Sequence, residues 1–158
     1  NLDIAASKLR EKFDMLSLPD GDLIRPLEEM GCVFLNTPVD RRGINPVTDL
    51  KLLARYRKLL KTEQPDLVIT YSIKPNIYMG IACAVAGVAY CANVQGLGTA
   101  FQRKGLAAFV TALYKTAFLR VKTVFFENEG NAAEFLERRI LKREKMTVLH
   151  GAGINLEG

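Results

Sequence analysis

Short apolar runs alternate with segments of helical period along most of the chain. Phe13–Leu18 is an apolar run ended by the turn sequence "PDGD", and Cys32–Thr37 is another, ended by Pro38. Leu50, Leu53, Tyr56 and Leu60 recur at helical spacing behind Pro46 and Thr48, where a helix can start. Leu67–Ser72 reads as a strand closed by Pro75, and Ile77–Ala86 as a helix of small residues stopped by Gly87. Tyr90–Val94 reads as a strand running into "NVQGLGTAF". It is followed by a helix over Leu106–Val121, a strand over Thr123–Phe126, a helix over Asn131–Arg139 and a last strand over Met146–Leu149. Strands and helices in strict alternation predict an α/β fold: a Rossmann-like, three-layer parallel sheet with right-handed crossovers and helices on both faces.

The two ends depart from that scheme. Ile4, Lys8 and Leu9 read as a helix leading directly into the Phe13 run, whereas a doubly wound fold opens with a strand that becomes central in the sheet. That first strand is expected before Asn1, between the Phe13 and Leu67 strands. The glycine-rich "HGAGINLEG" ends the chain in coil. The 158 residues therefore read as one domain, residues 1–158, cut at both ends.

Composition narrows the picture a little. Hydrophobic residues make up 49% of the chain and charged residues 25%, as in a soluble globular protein. Asn1–Arg10 has neither the basic start nor the apolar run of a secretory leader. Three cysteines, Cys32, Cys83 and Cys91, without paired spacing, fit reduced buried thiols rather than a metal or disulfide framework.

Charge changes the picture more. No acidic residue lies between Asp66 and Glu127, while Lys74, Arg103, Lys104, Lys115, Arg120 and Lys122 all do. Such a window is either a solvated face or a surface for anions, phosphate groups or an acidic membrane leaflet. Nucleic acid is not expected as a partner, because these cations are not interleaved with aromatics on a strand platform. The Leu106–Val121 stretch is broken by Lys115 and too short to cross a bilayer; it reads as a packed helix, with one edge available to a membrane surface.

In a parallel sheet, ligands sit beyond the carboxyl ends of the strands. The segments there are "PDGD", "PVDRRGINP", "YSIKPN", "QGLGTAF", "ENEGN" and "HGAG". They place Asp20, Arg42, Lys74, Asn76, Gly96, Leu97, Gly98, Glu127, Asn128, His150 and Gly151 at one edge. A pocket built from them is polar, glycine-lined and positive on one side, suited to a phosphate-bearing, oxygen-rich ligand such as a sugar phosphate. Gly96 and Gly98 match the first two glycines of a dinucleotide loop, but Phe101 occupies the third position. One histidine excludes a histidine-based metal triad, and neither a nucleophile elbow nor a Gly-Lys-Ser/Thr phosphate loop is present. Glu127 and Glu129 are either a carboxylate pair or the acidic start of a helix.

The stretch "TYSIKPNIYMGIACAVAGVAYCANVQGLGTAF", Thr70–Phe101, resembles the amino-terminal domain of bacterial glycosyltransferases of the GT-B fold. Within these it is most similar to the retaining family-four group of capsule, lipopolysaccharide O-chain and exopolysaccharide synthesis. "RRGINP" (Arg41–Pro46), "TVFFENE" (Thr123–Glu129) and "TVLHGAGINLE" (Thr147–Glu157) fit the same pattern in the same order.

The resemblance implies an acceptor-binding half whose nucleotide-sugar domain follows Gly158, so the chain is expected to be a fragment or half of a split enzyme, inactive alone. It implies transfer from a nucleotide-diphosphate sugar, a uridine one foremost, to a hydroxyl of a lipid-diphosphate-linked saccharide. The anomeric configuration is retained, no metal or other cofactor takes part, and the enzyme is cytoplasmic, peripheral on the inner face of the plasma membrane. The Gly96-Leu97-Gly98 loop then faces the interdomain cleft, where a side chain would obstruct the sugar, rather than cradling a dinucleotide; a glycine turn with only a folding role is the alternative. Lys74 and Asn76 become contacts for acceptor phosphate or sugar, against the plainer roles of a strand-end cation and a helix-start residue. Many relatives carry a histidine just after the strand that here ends at Val94; Gln95 and Gly96 stand there instead, and His150 is a poor substitute. The rival reading is a non-catalytic Rossmann-like module docking on a membrane or on a catalytic partner chain.

Overall fold

A computed structural model describes residues 12–13, 29–34, 45–97, 101 and 104–149. The chain divides into two compact units, Asn1–Gly43 and Ile44–Gly158. In the first, β1 (Lys12–Phe13) runs parallel to β2 (Val33–Phe34), with Lys12 opposite Val33 and Phe13 opposite Phe34.

The second unit carries a four-stranded sheet in the order β3-β4-β5-β6. Its strands are β3 (Leu67–Tyr71), β4 (Ala89–Val94), β5 (Val124–Phe126) and β6 (Met146–Val148), all parallel. Among the described residues of this unit, four α-helices accompany them: α1 (Pro46–Glu63), α2 (Ile73–Ala86), α3 (Lys104–Ala117) and α4 (Glu129–Glu137). The α/β alternation and parallel sheet are as the hydrophobic pattern predicts.

Local chemistry sets the helix ends. Asn45 caps α1, its side-chain oxygen accepting from Val47 N at 3.1 Å, with Pro46 next in line. Gly87 ends α2 at φ 74°, and Val88 N closes back onto Cys83 O at 3.1 Å. Helix α2 begins four residues earlier than its apolar spacing indicates. Pro75 falls in the first turn, where its missing N–H has no intrahelical partner to lose, so it opens the helix instead of ending the strand.

Because each strand is laid down beside the previous one, right-handed crossovers put α2, α3 and α4 on the same face. The contacts agree. Tyr90, Ala92, Val94, Val124 and Phe126 point to that face and are buried. The Tyr90 hydroxyl donates to Ala117 O of α3, and Gly80 of α2 lies so close that an added Cβ would stand 3.3 Å from Ala117 Cβ. Phe126 meets Phe135 of α4 edge-on, with ring centroids 5.2 Å apart. Helix α1 packs on α2.

The sheet has a second face. None of these helices covers it, and Leu67, Ile69 and Tyr71 are exposed there, with Cys91 and Phe125 half-exposed. The described residues of this unit thus supply the sheet and one helical layer.

Candidate functional site

All four strands of the larger unit point the same way, so their carboxyl ends share one edge, and the residues beyond that edge are the candidate site. At the end of β3 the chain turns into α2 through Ser72, held at φ 72° and ψ 162° with no side-chain cap on the helix. That region of backbone space is close to glycine-only and costs of order 1–3 kcal/mol for a residue with a side chain.

Lys74 follows in the first turn of α2. Its ammonium does not project freely from a strand end, as the sequence leads one to expect. It bonds Asp49 Oδ1 of α1 at 2.8 Å, with side-chain exposures of 12% for Lys74 and 6% for Asp49. Tyr78, one turn further on, donates its hydroxyl to Asp49 Oδ2 at 3.0 Å. Burial, then the bond and charge of Asp49, push the Tyr78 phenol above its ordinary range. Asp49 therefore satisfies two partners, and a cation placed at the unfavourable end of the α2 dipole is neutralised from α1.

Asn76, 1% exposed, donates Nδ2 to Asn93 O at 2.8 Å and so ties α2 to the end of β4. Its Oδ1, and Asn93 Oδ1, are buried atoms without a hydrogen-bond partner among the described residues. The Tyr114 phenol is pushed up by burial, with the adjacent Asn76 amide pulling the other way.

Beyond β4, Gln95 and Gly96 are exposed and Leu97 is half-buried. Gly96 lacks a left-handed φ, and a Cβ built on it would meet nothing within 4 Å among the described residues. Phe101, the residue in place of a third glycine, packs beside Tyr114 and Phe135, with ring centroids 6.2 Å apart in each pair, and the Arg138 guanidinium sits 5.0 Å from its ring centroid. Phe101 is itself held by aromatic packing.

Beyond β5, Asn128 is the cap of α4, accepting from Asn131 N at 2.8 Å, and Glu129 is the first helical residue. Glu127 and Glu129 are thus the acidic start of a helix. Asn131 Nδ2 also reaches Gln95 O at 3.5 Å, which places the start of α4 beside the loop after β4.

The structure therefore brings Asn76 to the end of β4, and Gln95 of the following loop to the start of α4, while Lys74 turns toward α1. Asp20, Arg42, Gly98, His150 and Gly151 lie outside the described residues. Sequence reasoning missed Asp49, Tyr78 and Asn93. The signal for Asn93 was available, as a lone amide near the end of an otherwise apolar strand. Asp49 stands 25 positions from Lys74 and carries none. Cys83 is fully buried and its thiol is pushed up to about 12 by burial, which makes it inert as a nucleophile. Among the described residues no group of three histidine, cysteine or acidic side chains is placed to hold a metal ion.

The fold and this edge define an α/β domain of the kind that binds its ligand beyond the strand ends. The glycosyl transferase 4-like family model matches residues 6–152, and the chain belongs to that family. It is 29% identical over 160 residues to the N,N'-diacetylbacillosaminyl-diphospho-undecaprenol alpha-1,3-N-acetylgalactosaminyltransferase of Campylobacter jejuni, covering 98% of this chain and 42% of that enzyme. The chain thus spans less than half the length of that relative.

Two solved structures share the fold. MurG of Acinetobacter baumannii has a TM-score of 0.50 at 13% identity, covering 92% of this chain and 37% of its own. MnaA of S. aureus in complex with UDP has a TM-score of 0.50 at 16% identity, covering 80% and 34%. The chain is a GT-B-type, family-four-like glycosyltransferase domain.

Proposed function

We propose that this chain is the acceptor-side half of a glycosyltransferase of cell-surface polysaccharide synthesis, capsule or lipopolysaccharide. The enzyme moves a sugar from a nucleotide-diphosphate sugar, a UDP-sugar foremost, to a lipid-diphosphate-linked saccharide, without a metal. It works in the cytoplasm, in peripheral contact with the anionic inner face of the plasma membrane. The name of the Campylobacter relative, which pairs a diphospho-undecaprenol acceptor with sugar transfer, supports the class of acceptor.

The observation that carries the reading is Gly96. Neither its φ nor any neighbouring atom of the described residues requires glycine there. Glycine costs conformational entropy in the unfolded chain, so a position that does not use its freedom is best explained by space kept for an incoming group. Asn76 and Asn93 add buried oxygens beside that loop, and Leu97 an apolar wall. Lys74, paired to Asp49, acts on the acceptor by holding the start of α2 in place and by offering its remaining ammonium protons.

The test is Gly96→Val in the full-length enzyme. The fold is expected to be unchanged, because the open space accepts the side chain. The Michaelis constant for the lipid-linked acceptor is expected to rise by roughly tenfold or more, with donor affinity kept. Wild-type kinetics for both substrates would overturn the assignment.

A further inference from the structure

Helix α1 is sharply two-faced. Leu52, Tyr56 and Leu60 are buried, with Leu53 and Leu59 half-buried beside them. The outward face carries Lys51, Arg55, Arg57, Lys58 and Lys61, all exposed. It carries no acid: Asp49 is buried against Lys74, and Glu63 is half-buried.

Soluble surfaces normally mix the two signs. Here Lys51 and Arg55, and Arg57 and Lys61, stand four residues apart, while Arg55 and Lys58, and Lys58 and Lys61, stand three apart. Like charges at such spacings are neighbours on the helix surface and weaken it. Lys61 lies in the last turn and answers the helix dipole, but Lys51 and Arg55 lie too far from that end to do so. Two large apolar side chains stand among the cations at the start of the same face, Val47 at 61% exposure and Leu50 at 66%. A helix with a uniformly basic polar face and apolar side chains at its rim is what an interface between water and anionic lipid selects. No aromatic residue stands on this face to stack on bases, which favours lipid over nucleic acid.

We propose that the outward face of α1 is the surface on which this chain docks to an anionic lipid leaflet, with Val47 and Leu50 entering the headgroup layer. The inference rests on the membrane contact proposed above and moves it from the acid-free window to α1. In that window the exposed cations of the described residues are Lys115, Arg120 and Lys122, and Arg120 is turned back onto Ala84 O at 3.3 Å.

The test is co-sedimentation of the chain with phosphatidylcholine vesicles, with and without phosphatidylglycerol, at several salt concentrations. Wild type is expected to bind only the anionic vesicles and to be released by salt. The variant Lys51→Gln/Arg55→Gln/Lys58→Gln/Lys61→Gln, whose changes are all on the surface, is expected to keep its circular dichroism spectrum and melting temperature. It should lose roughly fivefold in affinity per cation removed, more than about a hundredfold in all. Leu50→Ser should weaken binding severalfold without changing the salt dependence. Lys115→Gln/Lys122→Gln should lose less than the α1 variant does.

Wild-type binding by the folded α1 variant, with loss in the Lys115/Lys122 variant, overturns the inference while leaving the membrane contact intact. Binding to neither vesicle at low salt overturns both. Equal, equally salt-sensitive binding to a random DNA duplex, untouched by Leu50→Ser, identifies the face as a general polyanion surface and also overturns it.

Discussion

Two strand-to-helix junctions on the same sheet edge, β3 to α2 and β5 to α4, solve one geometric problem in opposite ways. At the second, Asn128 has an extended backbone at φ −154°, caps the helix with its own oxygen, and is followed by an acidic residue that suits the dipole. Every choice there serves folding. At the first, a serine sits in a glycine-like conformation, no side chain caps the helix, and a lysine occupies the turn that disfavours cations. A buried carboxylate from another helix offsets that lysine. Local rules are kept where the chain only turns and broken where we propose that the acceptor binds, which is the pattern expected of a site whose strain is carried by surrounding packing.

The contrast can be tested by four substitutions of decreasing effect. Asp49→Ala leaves the half-buried Lys74 ammonium and the Tyr78 hydroxyl without their shared partner and is expected to cost about 3 kcal/mol in denaturant unfolding. The double variant Asp49→Leu/Lys74→Met should recover most of that loss. A cost for Asp49→Ala no greater than that of removing the Asn128 cap would erase the distinction between the junctions.

Tyr78→Phe comes next, removing a hydrogen bond to a charged acceptor at about 1.5–3 kcal/mol near neutral pH. It also tests the pH profile. The folded Tyr78 holds its proton above the range where the unfolded tyrosine, near 10, releases it. Stability from this residue is therefore complete below pH 10 and lost as pH rises beyond it. The Phe variant should show a flatter alkaline limb, whereas capping variants at Asn128 should shift the profile without changing its slope.

Asn128→Ala should cost about 1 kcal/mol, the usual worth of a cap. The smallest effect is expected from Ser72→Gly. Relief of strain and the greater entropy of unfolded glycine oppose each other, leaving a gain on the order of 0.5–1 kcal/mol. A loss of stability there would mean that Ser72 is not strained and that the two junctions differ less than their backbone angles indicate.

The alternation of the larger unit was legible because its strands are apolar runs bounded by Pro, Gly and Asn, and its helices are long enough to show their period. Boundaries were less so. Pro75 looks like a terminator on sequence alone, yet the same residue is well placed inside a first turn. Helix α3 stops at Ala117, four residues before its apolar run does, because Phe118 and Val121 are buried in the turn that follows and continue the hydrophobic pattern without the helix. At the site, Phe101 was legible as a departure from a dinucleotide loop, but its ring contacts depend on Tyr114 and Phe135 from two other helices. Lys74 was legible as a cation at the right edge. Its partner was not, since nothing in the spacing of Asp49 and Lys74 announces that α1 and α2 lie side by side.

The order of the larger sheet has a bearing on how the chain assembles. Leu67 pairs with Ala89 and Val124 with Met146, 22 positions on in each case, and Ala92 with Val124, 32 positions on. Among the described residues each strand meets its neighbour after one α-helix has been laid down, and no later strand of this sheet is inserted between two earlier ones. Loops of that size close at little extra entropic cost compared with one another, so no single pairing step stands out as a bottleneck. During synthesis the sheet from β3 to β6 can therefore grow in the direction of translation, one helix-and-strand increment at a time, each new strand pairing with the edge laid down just before it.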